Sequence, residues 1–428
     1  MIPRLAHRAR LAAIGTLAVA ALGLTACTGG DVFAPSGDVN TVDEGFSGSI
    51  DAAVESAMQL SGSSEAIVGV WGENGEYVRG YGEDGVDGGT RFRGAQATQP
   101  VICALLLDFV ESGEVKLDDK VKKDLPRQSG LEDITYQQLC DMRSGLADYK
   151  GAYSQIFVDN PTRPWPEQEL IAEGLAHSPL SWPGLDFHQS DTNAVLLGRA
   201  LRVKSAEELP ALLSDRVYDR AGMSSSYYPP QNSNTVSGTT MKALAYPVAG
   251  GQAVCDAGPT ELEEVSPTML AGAGATVTTV TDLKNFYEHY LDGGFGGKAG
   301  KKLVTEANPT KNPERDAEGN PTTEVDASDP QWSFGMEKMG PLYGRSGAIT
   351  GTITAAYHDP TSGYTVVVTL NNSTAGAGFA RALALQIAAI SGGSGGGVEV
   401  PWSAEDQATA LAGAAVCQPA PAEEAPEG

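Results

Sequence analysis

The chain has 428 residues, of which 52 are Gly and 25 Pro, with 41% hydrophobic and 19% charged types, a globular composition that can build a sizeable core. Against 29 Lys+Arg stand 54 Asp+Glu, a formal net charge of -25. That coat repels phosphate backbones, and with no Lys/Arg block to interrupt it nucleic-acid binding is set aside.

Residues 1–10 carry Arg4, Arg8 and Arg10 without an acid, residues 11–24 form an apolar run, and Leu24-Thr25-Ala26 sets small residues before Cys27. This resembles a bacterial lipoprotein signal peptide (1–26). The resemblance implies cleavage before Cys27, diacylglycerol on its sulfur, and an extracytoplasmic domain tethered to the cell membrane. The alternative, a retained anchor, needs about 20 apolar residues, and this run is shorter. Losing three arginines takes the charge from -25 to -28, so attachment rests on the lipid and not on electrostatics.

Residues 27–46 are rich in Gly, Asp and Ser and read as a tether; the domain is expected over 47–391. Ile50, Val54, Ala57 and Met58 have helical spacing. Residues 66–71 and 77–81, joined by Glu73-Asn74-Gly75, read as a hairpin, because Asn-Gly supplies the positive φ of a tight turn. Residues 101–110 predict a helix buried on nearly every face, and 134–142 a shorter one. Residues 308–331 read as an irregular surface loop. Residues 352–358 and 364–370 alternate as strands, and 379–390 predict a closing helix. Strands early, helices in the middle and strands late imply one sheet assembled from both ends of the chain with a helical lobe between. Residues 392–428, Gly/Ser-rich and then Ala/Pro/Glu-rich, are expected to be a flexible tail apart from whatever Cys417 ties down.

Export lets disulfides persist, and four cysteines remain besides Cys27. The pairing Cys103–Cys140 with Cys255–Cys417 is favoured. Buried free thiols at Cys103 and Cys140 are the alternative.

Several landmarks follow one another in order: Phe92-Arg93, Leu125-Pro126, Ser144-Gly145-Leu146, Pro183-Gly184, Ser190-Asp191-Thr192-Asn193, Ala271-Gly272-Ala273-Gly274 and Tyr343-Gly344. With these the chain resembles the serine β-lactamase, D-alanyl-D-alanine peptidase and esterase superfamily in its class C-like branch. The resemblance implies an α/β (α+β) fold, β-lactamase/transpeptidase-like: an antiparallel sheet flanked by helices, an inserted helical lobe, and a cleft between them.

Chemistry in that superfamily needs a serine made reactive by a lysine one helical turn on, a phenol that relays protons, and a cationic strand motif. Here Gln96 stands at the serine position and Gln99 at the lysine position. Gln189-Ser190-Asp191 lacks the phenol, and Arg345-Ser346-Gly347 alone keeps its cation. A carboxamide is neither a useful nucleophile nor a base near neutral pH. No lysine in the chain has serine three residues before it; Thr239 and Thr281 are the nearest matches. Ser394 sits in a Gly/Ser run without the strand a nucleophile elbow requires.

His188 precedes Gln189, a place from which an imidazole can assist a water, but a hydrogen-bonded lobe residue is the simpler reading. Asp316, Glu318 and Asn320 read as a solvated turn before a calcium clasp. The histidines have no zinc spacing, and neither metal nor cofactor is expected.

The sequence therefore predicts a membrane-tethered pseudo-enzyme. Its former cleft, lined by Gln96, Gln99, Gln189, Asp191, Arg345, Ser346 and Gly347, would bind a peptidoglycan stem peptide or an envelope protein. The rivals are a working serine hydrolase or peptidase that borrows Thr98, Ser190 or Ser346, and a structural envelope scaffold. If Arg345 is not neutralised by Asp191, it offers a paired donor to a peptide carboxylate.

Overall fold

The computed structural model describes residues 37–82, 85–326 and 330–418. The signal peptide and Cys27 lie outside the described residues. Among the described residues nine strands form one antiparallel sheet: β1 (Val39–Asn40), β2 (Ala66–Gly72), β3 (Gly75–Tyr81), β4 (Asn308–Pro309), β5 (Gln331–Trp332), β6 (Glu337–Met339), β7 (Leu342–Ile349), β8 (Thr352–His358) and β9 (Thr365–Leu370). Their spatial order is β1-β3-β2-β9-β8-β7-β6-β5-β4. The N-terminal hairpin joins the C-terminal strands directly, Val367 pairing with Gly69. The sheet is thus assembled from both ends of the chain.

Side chains of a strand alternate between faces, and here both faces are covered, so β8 and β9 are buried along their whole length. Val366, Val368 and Leu370 pack with Ile50 and Val54 of α1 (Glu44–Ser61) and Leu383 and Ile387 of α8 (Ala377–Gly393). Val367 turns the other way, into a second core with Leu105 and Leu106 of α2 (Pro100–Glu111) and Phe286 of α7 (Val280–Leu291). Between the sheet halves the chain forms α3 (Tyr136–Cys140), α4 (Lys150–Asp159), α5 (Glu167–Ala176) and α6 (Thr192–Ser205).

Both ends of the domain depart from the sequence expectation. Within the expected tether, Val39 and Asn40 pair with Val78 and Tyr77, and Asp43 caps α1 by accepting from the N–H groups of Gly45 and Phe46. Within the expected flexible tail, α9 (Ala404–Gly413) forms behind a capping box of Ser403 and Asp406. Trp402 Nε1 donates to the Leu385 carbonyl, Leu411 is buried, and the Val416 N–H donates to the Leu60 carbonyl. Two apolar anchors, a cap and the disulfide at Cys417 hold a segment whose composition reads as linker.

Disulfides join Cys103 to Cys140 and Cys255 to Cys417. The first ties α2 to α3. The second returns the segment after α9 to a loop 162 residues earlier in the chain. In the long loop Asp316 Oδ1 accepts from the N–H groups of Glu318 and Asn320, so its carboxylate closes the turn.

Candidate functional site

The motif residues converge where α2, α6 and β7 meet. Phe92 and Arg93 pair with Thr278 and Val277, Gly94 follows, and a tight turn of residues 95–98 leads into α2. Ala95 is held at φ +48°, a left-handed conformation unusual for alanine, which sets the direction in which residue 96 leaves the turn. Gly347 on β7 lies so close that a Cβ there would stand 2.2 Å from the Gln96 nitrogen, so only glycine fits. The strand and the turn are pressed together, and the space between them is filled by the motif side chains themselves.

A continuous polar chain fills it. Ala348 N–H donates to Gln96 Oε1 at 2.9 Å, and Gln96 Nε2 donates to Asp191 Oδ2 at 2.6 Å. Gln99 Nε2 donates to Asp191 Oδ1 at 3.0 Å and its Oε1 accepts from Arg345 Nε at 3.2 Å. Lys150 Nζ, from the start of α4, reaches Asp191 Oδ2 at 2.9 Å. Arg345 Nη1 pairs with Glu337 Oε1 at 2.6 Å, and its guanidinium lies over Trp332, 4.8 Å from the ring centroid. Glu337 also accepts from Tyr357 at 3.0 Å and from Arg381 at 3.3 Å. Each carboxamide both donates and accepts here, which a lysine ammonium at position 99 could not do.

Gln96, Gln99, Asp191 and Arg345 are each 1–2% exposed. Burial by itself pushes the Asp191 carboxyl up. The charges of Lys150 and Arg345, with the bonds given by Lys150 and Gln96, outweigh it and hold the group below its ordinary range. The neighbouring Asp148 is pushed up to about 6 by burial and then by the charge on Asp191, with Lys150 acting the other way.

Two expectations are corrected here. Arg345 is neutralised internally, by Glu337 and not by Asp191, and is sealed from solvent, so it is not a free receptor for a peptide carboxylate. The cleft is not an open row of carboxamides either: among its predicted residues Gln189 is exposed, while Ser346 and the others are buried. Gln189 lines a cavity of about 170 Å³ together with Phe187, Trp332, Glu337 and Arg381. Lys150 and Glu337, the two groups that balance the charges, were missed by sequence reasoning. The turn Gly340-Pro341 between apolar residues signals the hairpin that sets Glu337 beside Arg345. Lys150 has no comparable signal.

The chemistry available is limited. A developing oxyanion needs free backbone donors, and the Ala348 N–H aimed at residue 96 is already taken by the Gln96 carbonyl. Thr98 Oγ1 donates to the Ala95 carbonyl at 2.8 Å and Ser190 Oγ to the Ala147 carbonyl at 2.9 Å. Ser346 sits beside the Tyr357 hydroxyl. None of these three hydroxyls is hydrogen-bonded to a lysine, histidine or carboxylate among the described residues, whereas an activated nucleophile requires such a base. His188 is held through its backbone, its N–H donating to the Met142 carbonyl.

Comparison with solved structures shows a shared fold at low identity. A D-stereospecific amidohydrolase from Streptomyces sp. matches with TM-score 0.63 and 21% identity over 75% of this chain and 94% of that one. The D-amino acid amidase from Ochrobactrum anthropi SV3, complexed with D-phenylalanine, matches with TM-score 0.63 and 17% identity over 85% and 99%. The octameric penicillin-binding protein homologue from Pyrococcus abyssi matches with TM-score 0.64 and 17% identity over 82% and 77%. The family model described as Beta-lactamase matches residues 50–390, and with the large antiparallel sheet and its flanking helices this places the chain in the beta-lactamase family.

Proposed function

We propose that this protein is a catalytically silent, lipid-anchored member of its family, exported and attached to the cell membrane through Cys27. The observation that carries the silence is Gln96. It stands at the nucleophile position with both ends of its carboxamide engaged, one on Asp191 and one on the Ala348 N–H. Arg345, cationic and buried, completes a structure in which polar groups satisfy one another instead of facing a substrate. Groups that act as a unit in hydrolysis are not rescued by one survivor.

In this reading the protein works by binding. What remains of the cleft is the 170 Å³ cavity at Gln189, with room for one side chain or one end of a stem peptide or of an envelope protein segment. A scaffold role is the second reading, supported by the burial of the other motif residues.

The test is covalent labelling of the purified protein with fluorescent penicillin and a fluorophosphonate, read by intact mass. We expect no adduct, and no release of product from D-phenylalanine amide. Stoichiometric labelling of Thr98, Ser190, Ser346 or any other hydroxyl overturns the reading. For the binding claim, calorimetry with a stem peptide should show an affinity that falls in Gln189→Ala; equal or absent binding leaves the scaffold.

A further inference from the structure

A second cavity, a groove of about 710 Å³, opens on the helical lobe, and none of Gln96, Gln99, Gln189, Asp191 or Arg345 lines it. It falls within the roughly 300–1,000 Å³ typical of ligand sites. Its floor is the turn that contains Leu146, with Leu175 of α5 beside it, and its wall is the loop around residues 177–185. The wall is pinned to the floor: the Leu180 N–H donates to the Gly145 carbonyl at 2.9 Å and the Gly184 N–H to the Arg143 carbonyl at 2.7 Å. The groove is therefore preformed, which lowers the ordering penalty of binding.

On this wall Trp182 is 78% exposed and Leu180 53%, while Trp165 and Trp332 are buried in the core. A large indole beside an exposed leucine at the mouth of a groove is the kind of apolar surface that marks an interaction site. Between them Ser181 Oγ is shielded from water and has no hydrogen-bond partner, so it is a polar group waiting for one.

The charges lining the groove have one sign. Glu132, Asp133 and Asp186 face it, with His177 at the rim, and no lysine or arginine is among its lining residues. Asp186 is neutralised by Arg315 at 2.9 Å. Glu132 and Asp133 are exposed; their carboxylates meet Lys122 and Lys120 at 3.4 and 3.6 Å, pairs that contribute little in water, while Lys120 Nζ rests on the Asp133 carbonyl at 2.8 Å. The rim remains open to an outside cation, on a chain of net charge -25.

We propose that this groove docks a short cationic peptide segment in extended form. An apolar side chain of that segment lies between Trp182 and the Leu146–Leu175 floor, its lysines or arginines face Glu132 and Asp133, and one of its amides meets Ser181 Oγ. A sugar ring also stacks on tryptophan and could bond the same carboxylates, but Leu146, Leu175, Leu180 and Leu185 suit an apolar side chain and the one-signed charge suits a cation, which favours the peptide. This site is independent of the fate of the former catalytic cleft.

The test uses the full chain and two fluorescein-labelled pentapeptides, Lys-Leu-Phe-Leu-Lys and Glu-Leu-Phe-Leu-Glu, followed by anisotropy. The lysine peptide should saturate, and Trp182→Ala should weaken it at least tenfold with an unchanged melting temperature, since that side chain is outside the core. Leu180→Asn, which removes the apolar contact without adding charge, serves as a second variant. Glu132→Gln with Asp133→Asn should weaken it severalfold and flatten its salt dependence. Failure of the lysine peptide to saturate at millimolar concentration, equal affinity in both Trp182→Ala and Leu180→Asn, or tighter binding of the glutamate peptide overturns the proposal. So does Trp182-dependent binding of chitotriose in place of the peptide.

Discussion

Arg345 and Glu337 form a buried ion pair at 2.6 Å across the β6–β7 hairpin, and the carboxamide of Gln99 bridges Arg345 to Asp191. The strand cation that the sequence resemblance offered as a substrate-facing group is here an internal strut. Removing one partner of such a pair leaves an uncompensated buried charge. Glu337→Gln is therefore expected to destabilise the protein by roughly 3–5 kcal/mol in urea unfolding. Glu337→Gln combined with Arg345→Met should cost clearly less than the two single changes added together. Additive costs would show that the pair is not coupled.

The pH response is set by two neighbouring carboxyls with opposite shifts. Asp148 has its folded pKa raised to about 6, above the unfolded value near 3.9, so the folded state holds that proton more tightly. Its contribution therefore falls as pH rises from about 4 to 6. Asp191 is shifted down, and its contribution is present above the unfolded value and lost as pH falls below it. Asp148→Asn, which keeps the neutral form, should gain roughly 1–3 kcal/mol relative to wild type between pH 4 and pH 7. Parallel urea titrations at the two pH values measure it; a constant difference would reject the assignment.

Restoring chemistry is expected to need more than one residue. Gln96→Ser alone frees the Ala348 N–H but supplies no base, and should stay unlabelled by penicillin. Gln96→Ser with Gln99→Lys should acylate slowly and release product poorly, because no phenol stands at Gln189. Intact mass after timed incubation distinguishes the two. Rapid turnover by the double variant would show that position 189 is not needed.

The Cys103–Cys140 disulfide supports the site at one remove. The Cys140 carbonyl accepts from Trp332 Nε1 at 2.8 Å and from the Gly335 N–H at 3.0 Å, and Trp332 is the ring beneath Arg345. Replacing both cysteines with serine should cost roughly 2–4 kcal/mol and increase hydrogen exchange along β5 and β6. Unchanged exchange there would separate the disulfide from the site.

The anchor is checked by palmitate labelling in cells. Wild type should incorporate label, and Cys27→Ala should accumulate as unlabelled precursor. Cys417→Ala should label normally, since its partner Cys255 lies in the folded domain.

The fold was legible in the sequence because it depends on ordered motifs, and the same register puts Gln96, Gln99 and Gln189 at the positions on which the proposed silence rests. The polar network that Gln96 and Gln99 join was not legible. Lys150 and Glu337 carry no motif, and they meet their partners only after the lobe and the hairpin have folded. Arg345 therefore read equally well as a ligand or as a strut. Linker composition concealed α9 for a related reason: its order comes from Trp402 and Leu411 docking on α8 and its surroundings, which no local propensity reveals.

Under the proposed reading, the carboxamide network also resists reversal by single substitutions. Gln96→Ser leaves Asp191 short of one donor and the Ala348 N–H without an acceptor. Gln99→Lys sets an ammonium group against the Arg345 guanidinium, and Gln189→Tyr, at an exposed position, adds a phenol with no nucleophile to serve. The first two steps give up stability before any hydrolysis is gained, so the buried polar chain would act as a ratchet against a one-residue return to catalysis.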